Sequence, residues 1–111
     1  MKKWFILILG ILLFTISNFN LTASALDTVN GAKIFNVHCA GCHINGGNIV
    51  RRGKNLKKNA LKKYGMDSLE AITAIVTNGK SNMSAYKDRL TEEEIQNVAA
   101  YVLEQAEKGW K

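Results

Sequence analysis

The chain has 111 residues, a formal net charge of +6, two cysteines, two histidines and no proline. That bounds it to one small domain and excludes a two-domain enzyme. The first 25 residues read as an export signal: Lys2 and Lys3 make a basic start, Trp4 to Phe14 an apolar run broken only by Gly10, and Ala23-Ser24-Ala25 a small-residue cleavage site. At about 1.5 Å per residue that apolar run covers roughly 16 Å, short of the roughly 30 Å hydrocarbon core, so permanent membrane insertion is disfavoured. Cutting after Ala25 leaves a domain of residues 26–111, whose 13 basic and 9 acidic side chains give +4. A chain this short buries only about 60–65% of its unfolded surface, so its core is marginal without a staple. The plainest staple in an exported protein is a disulfide between Cys39 and Cys42.

In chain order, a first helix is predicted from about Asp27 to Val37, with Asp27 as cap and Val29, Ala32 and Phe35 at helical spacing. The cysteines follow at its end. Ile44 to Asn55, with Gly46, Gly47 and Gly53 among Asn and Arg, reads as loop. Leu56 to Tyr64 is a short basic helix stopped by Gly65. Asp67-Ser68-Leu69-Glu70 places an acceptor three residues ahead of a glutamate, so Asp67 is expected to cap a helix ending near Asn78-Gly79. Ser81 to Arg89 is a polar loop. Thr91-Glu92-Glu93-Glu94 then supplies a capping box and three carboxylates at the positive end of the last helix. Along that helix Ile95, Val98, Ala99, Val102, Leu103 and Ala106 form a continuous apolar stripe that needs a partner. No run alternates long enough for a strand, so the domain is expected to be all-α, with about four helices.

The chemistry concentrates in Cys39-Ala40-Gly41-Cys42-His43. Two thiols three positions apart, followed by an imidazole, suit covalent haem attachment: each thiol adds to one vinyl group and the histidine turns onto the iron. Zinc would need His38, Cys39, Cys42 and His43, four ligands within six residues, which cannot wrap a tetrahedron without strain. A thioredoxin-like redox pair belongs after a strand, at a helix start. A plain disulfide would close a tiny loop and leave the small core unexplained. Haem answers the need for a staple, because helices too few to bury one another can bury their stripes against an apolar plate. The candidates for a second axial ligand are His38, Met66 and Met83. His38 lies five residues before His43 on the same attachment segment; Met66 adjoins the Asp67 cap and reads as a packing residue; Met83 stands in a polar loop with no stripe to serve, and is favoured.

With these residues in view, the chain resembles cytochrome c6, the small soluble carrier of the photosynthetic lumen. The likeness runs through residues 26–111 and is carried by Asn30-Gly31-Ala32-Lys33-Ile34-Phe35, Lys63-Tyr64-Gly65-Met66, Thr77-Asn78-Gly79-Lys80 and Asn97-Val98-Ala99-Ala100-Tyr101-Val102-Leu103. It implies a small cytochrome c fold around one covalent haem c on Cys39 and Cys42, with His43 and Met83 as axial iron ligands. It also implies that Gly31 and Phe35 pack against Tyr101 where the first and last helices cross, and that Arg89 lies near a docking surface. One departure stands out: the family usually follows its ligand methionine with Pro-Ala-Phe, where this chain has Ser84-Ala85-Tyr86. Loss of the proline frees a backbone N–H and a φ angle, so a looser ligand loop is expected.

The function implied is electron transfer from the cytochrome b6f complex to photosystem I in the thylakoid lumen of a cyanobacterium or algal plastid, without transformation of a substrate and by a mostly monomeric protein. The basic run of Arg51, Arg52, Lys54, Lys57, Lys58, Lys62 and Lys63 suggests electrostatic steering toward acidic partners. Nucleic acid is a poor partner for it, since no aromatics interleave the run. The alternatives are a related carrier that donates to a terminal oxidase or an unassigned partner, and a small haem peroxidase.

Overall fold

The computed structural model describes residues 25–111; the expected export signal otherwise lies outside the described residues. Helix α1 spans Thr28–His38, with the Asp27 carboxylate accepting from the Asn30 N–H as its cap. A single turn, α2, spans Ala40–His43 and carries the cysteines. Helix α3 spans Lys58–Lys63, α4 Leu69–Asn78 and α5 Glu92–Lys108. Among the described residues there is no strand, only an isolated antiparallel bridge between Lys80 and Met83, and no helix long and apolar enough to cross a membrane.

The expected all-α class stands, with three local corrections. The stretch from Ile44 to Asn55 is not plain loop: it contains 3-10 turns at Ile44–Gly46 and Arg52–Lys54. Helix α3 starts two residues later than expected, because the Asn55 side chain accepts from the Lys57 N–H at 3.0 Å and holds Leu56 and Lys57 in a turn. The cap of α4 is Ser68, not Asp67; its hydroxyl accepts from the Ala71 N–H at 3.1 Å. Ser68 has the extended backbone a cap requires, and Ile72 and Val76 of the helix that follows are buried in the core.

Helix α5 is the spine of the domain. Its capping box is complete, with Glu94 N–H donating to Thr91 Oγ1 at 3.1 Å and Thr91 N–H to Glu94 Oε1 at 3.0 Å. Ile95, Val98, Ala99, Val102 and Ala106 are buried as the stripe demands, whereas Leu103 is only half-buried. Helix α1 crosses α5 at Gly31, beside Asn97 and Tyr101, and Phe35 meets Tyr101 with ring centroids 5.4 Å apart. Ile72 and Val76 of α4 and Leu61 of α3 complete the core.

Candidate functional site

Helix α1 ends at His38, and Cys39 then departs from helical geometry (φ −117°, ψ −35°) while its N–H still donates to Phe35 O at 2.9 Å. The next turn closes on the Cys39 carbonyl, which accepts from the Cys42 and His43 N–H groups at 3.2 and 2.9 Å. Cys39, Cys42 and His43 consequently line one crevice of about 330 Å³. Its floor is apolar, with Ile72, Ile75 and Val76 of α4 and Val98 and Val102 of α5. The two thiols are not joined to each other. Burial pushes the Cys39 thiol up to about 11, so it is neutral at physiological pH.

The imidazole of His43 is oriented by the chain just after it. Its Nδ1 lies 2.8 Å from Gly47 O, and a carbonyl can only accept, so Nδ1 carries the proton and the Nε2 lone pair is free for a metal. The loop that presents Gly47 is itself held. Asn45 and Gly46 have left-handed backbones (φ +53° and +77°), and Leu56 N–H donates to Gly46 O at 2.7 Å. Trp110 lies directly over Gly46; a Cβ there would stand 2.5 Å from indole carbons. Sequence reasoning missed this role of Trp110, although a large aromatic beyond the α5 stop at Gly109 was a signal.

Met83 lines the same crevice from the loop after α4. Gly79 (φ +71°) ends that helix, and a Cβ on it would meet Met83 O at 2.6 Å and Ala85 N at 2.8 Å. Lys80 and Met83 exchange both backbone bonds, 3.0 and 2.9 Å, so Met83 stands at the end of a tight turn. This pairing restrains the loop up to Met83 and lies on the N-terminal side of Ser84. His38 and Met66 line the crevice as well; His38 is exposed and edge-on to Tyr86, while Met66 also packs against the core, so its role goes beyond packing on α4.

The basic run divides. Arg51 and Lys54 line the crevice, whereas Lys58 pairs with Glu107 at 3.1 Å on the surface. Arg89 stays outside the crevice lining, exposed, with its guanidinium stacked 4.2 Å from the Tyr86 ring.

These residues fit a flat, largely apolar prosthetic group. Two free thiols three residues apart, an imidazole with Nε2 available and a thioether all border one apolar crevice, which matches the donor set of a covalently attached haem.

Comparison with known proteins agrees. Residues 27–102 match the family described as cytochrome C oxidase, cbb3-type, subunit III. A cytochrome c6-like protein of Nostoc sp. (strain PCC 7120) is 71% identical over 111 residues, covering all of both chains. Cytochrome c6 of the same strain is 57% identical over 112 residues, again covering all of both. The crystal structure of cytochrome c6C from Synechococcus sp. PCC 7002 superposes with a TM-score of 0.69 at 64% identity, covering 71% of this chain and 96% of that one. Proteins of this kind bind one covalently attached c-type haem and are electron carriers. With its helices, crevice and relatives all in accord, the chain belongs to the cytochrome c6 family of small, all-α, haem-carrying electron-transfer proteins.

Proposed function

We propose that this protein is a lumenal carrier that takes single electrons from the cytochrome b6f complex and delivers them to photosystem I, without itself being an enzyme. Residues 1–25 act as a cleaved export signal and residues 26–111 as the carrier domain. Cys39 and Cys42 would hold the haem through thioethers, and His43 Nε2 and Met83 Sδ would ligate its iron. The observation that carries this reading is the convergence of those four side chains on one apolar crevice, with His43 Nδ1 already engaged by Gly47.

When bound, the haem iron supplies reversible one-electron exchange. The chain does the rest. Gly47 fixes the imidazole tautomer and adds electron density to the ligand through its hydrogen bond. A thioether ligand from Met83 would favour the ferrous state and raise the potential relative to a second imidazole. The apolar α4 and α5 side chains exclude water, so charge on the iron is less compensated by solvent than on an exposed haem. Cationic side chains at Arg51, Arg52, Lys54, Lys57, Lys62 and Lys63 favour approach to acidic partners, although ionised propionates lower the net charge from +4 to roughly +2.

A visible spectrum with a redox titration tests the site. The expected result is a low-spin haem whose oxidised form shows the weak far-red band of methionine–iron ligation and whose potential is positive. A high-spin spectrum that changes on adding peroxide supports a peroxidase instead.

A second reading keeps the carrier and changes the partners. The chain is closer to the c6-like protein than to the cytochrome c6 of the same Nostoc strain, 71% against 57% identity, and it has Ser84 where the resemblance to cytochrome c6 leads proline to be expected. A carrier that serves a terminal oxidase or another acceptor accords with both observations. Reduction kinetics of purified photosystem I and of an oxidase by the same preparation separate the two readings.

A further inference from the structure

The residue three positions after Met83 makes a connection that spans 48 residues. Tyr86 O–H donates to the His38 carbonyl at 3.0 Å, which joins the Met83 segment to the last residue of α1, directly before Cys39. That carbonyl stands at a helix C-terminus, where the helix itself leaves carbonyls unpaired, so the hydroxyl supplies a donor that the backbone lacks. The aromatic ring is held from two further directions. The Arg89 guanidinium stacks 4.2 Å from its centroid, and the His38 ring meets it edge-on at 5.8 Å. Its backbone is equally tied, with Tyr86 N–H donating to Val76 O, and Arg89 and Leu90 N–H both donating to Tyr86 O, each at 2.9 Å.

Met83 thus lies between two restraints. On its N-terminal side is the Lys80–Met83 bridge; on its C-terminal side Ser84 and Ala85 are exposed, and Tyr86 is the next half-buried residue. Ser84 leaves φ free where a proline would fix it near −65°. The segment is held again at Tyr86, by its N–H on Val76 O and by its hydroxyl on the His38 carbonyl; a phenylalanine there would keep the first bond and lose the second, which is the one that reaches the cysteine segment.

We propose that Tyr86 is a positioning residue for Met83: its hydroxyl bond to the His38 carbonyl closes the methionine segment onto the cysteine segment and keeps the thioether in the crevice. The proposal rests on the reading of Met83 as axial ligand. Removing the hydroxyl leaves the ring, its stacking on Arg89 and the fold intact, but lets the segment open more often, so that an external ligand displaces Met83 more easily.

The test is imidazole titration of the oxidised, haem-loaded protein, followed by loss of the far-red methionine–iron band, for wild type, Tyr86→Phe, Met83→Ala and Asn97→Ala. Tyr86→Phe is expected to keep the band and to bind imidazole about 3- to 10-fold more tightly, as loss of one hydrogen bond implies. Asn97→Ala, which loosens the distant α1–α5 crossing, is expected to lower the thermal midpoint and leave imidazole affinity at the wild-type value. An unchanged affinity in Tyr86→Phe overturns the proposal, as does an equal rise in Asn97→Ala, since the effect is then general loosening. If wild type lacks the band, or Met83→Ala retains it, the ligand reading itself fails, and the positioning role falls with it.

Discussion

Gly31 and Asn97 face each other where α1 crosses α5, so closely that a Cβ on Gly31 would drive into the Asn97 carbonyl oxygen and stand 2.9 Å from Tyr101 Cβ. Backbone cannot give way as a flexible side chain can. Gly31→Ala is therefore expected to push the helices apart and destabilise the protein by about 1–3 kcal/mol, despite the better helix propensity of alanine. Guanidinium unfolding measures this, with Gly53→Ala as control, since the nearest atom to a Cβ there is 3.9 Å away.

The Asn97 side chain locks the same crossing from within. Only 5% exposed, it accepts from Asp27 N–H at 3.0 Å and donates to Asn30 Oδ1 at 3.3 Å. Asn97→Ala leaves the Asp27 N–H unpaired and is expected to cost about 1–3 kcal/mol. Amide exchange at Asp27 should accelerate by more than the global loss explains; equal change at all amides contradicts a local tie.

Trp110 reaches back over the loop that orients His43. Its Nε1–H donates to Leu56 O at 3.0 Å, and its ring meets those of Phe35 and Tyr101 at 5.2 and 6.1 Å. Trp110→Ala is expected to lose about 3 kcal/mol, and Trp110→Phe about 1 kcal/mol for the missing donor. The Leu56 amide, which donates to Gly46 O, should exchange faster in both variants. A wild-type rate at Leu56 in Trp110→Ala separates the tail from the histidine loop.

Without the prosthetic group, the apolar crevice between α4, α5 and the cysteine turn faces water. The double variant Cys39→Ser, Cys42→Ser is expected to lose most of its helical circular dichroism, because a domain of this size has little core to spare. Full helicity with an unshifted melting temperature contradicts the role of the haem as staple.

Steering by the basic run predicts a rate constant for electron transfer to an acidic partner that falls by about tenfold from low to physiological ionic strength. Lys57→Glu and Lys62→Glu should each lower the rate at low salt and flatten its salt dependence. A flat or rising wild-type rate rules out steering.

The residues that are close along the chain were readable without coordinates. The Thr91–Glu94 capping box, the α5 stripe and the Cys39-to-His43 spacing depend on local periodicity and on which side chains can cap a helix or bind a prosthetic group. Even locally, the Ser68 cap and the late start of α3 were decided by competing side-chain acceptors, which a pattern of residue types does not rank. Long-range pairings are different in kind. That Tyr86 would find the His38 carbonyl, 48 positions away, that Trp110 would seat on Gly46 and that Asn97 would tie Asp27 required the helices to be packed first. Local chemistry specified which groups the site needs. Only the crossing of α1 and α5, and the chain folded back around it, determined which backbone atoms hold them in place, because a hydrogen bond depends on distances of a few tenths of an ångström that residue order does not contain.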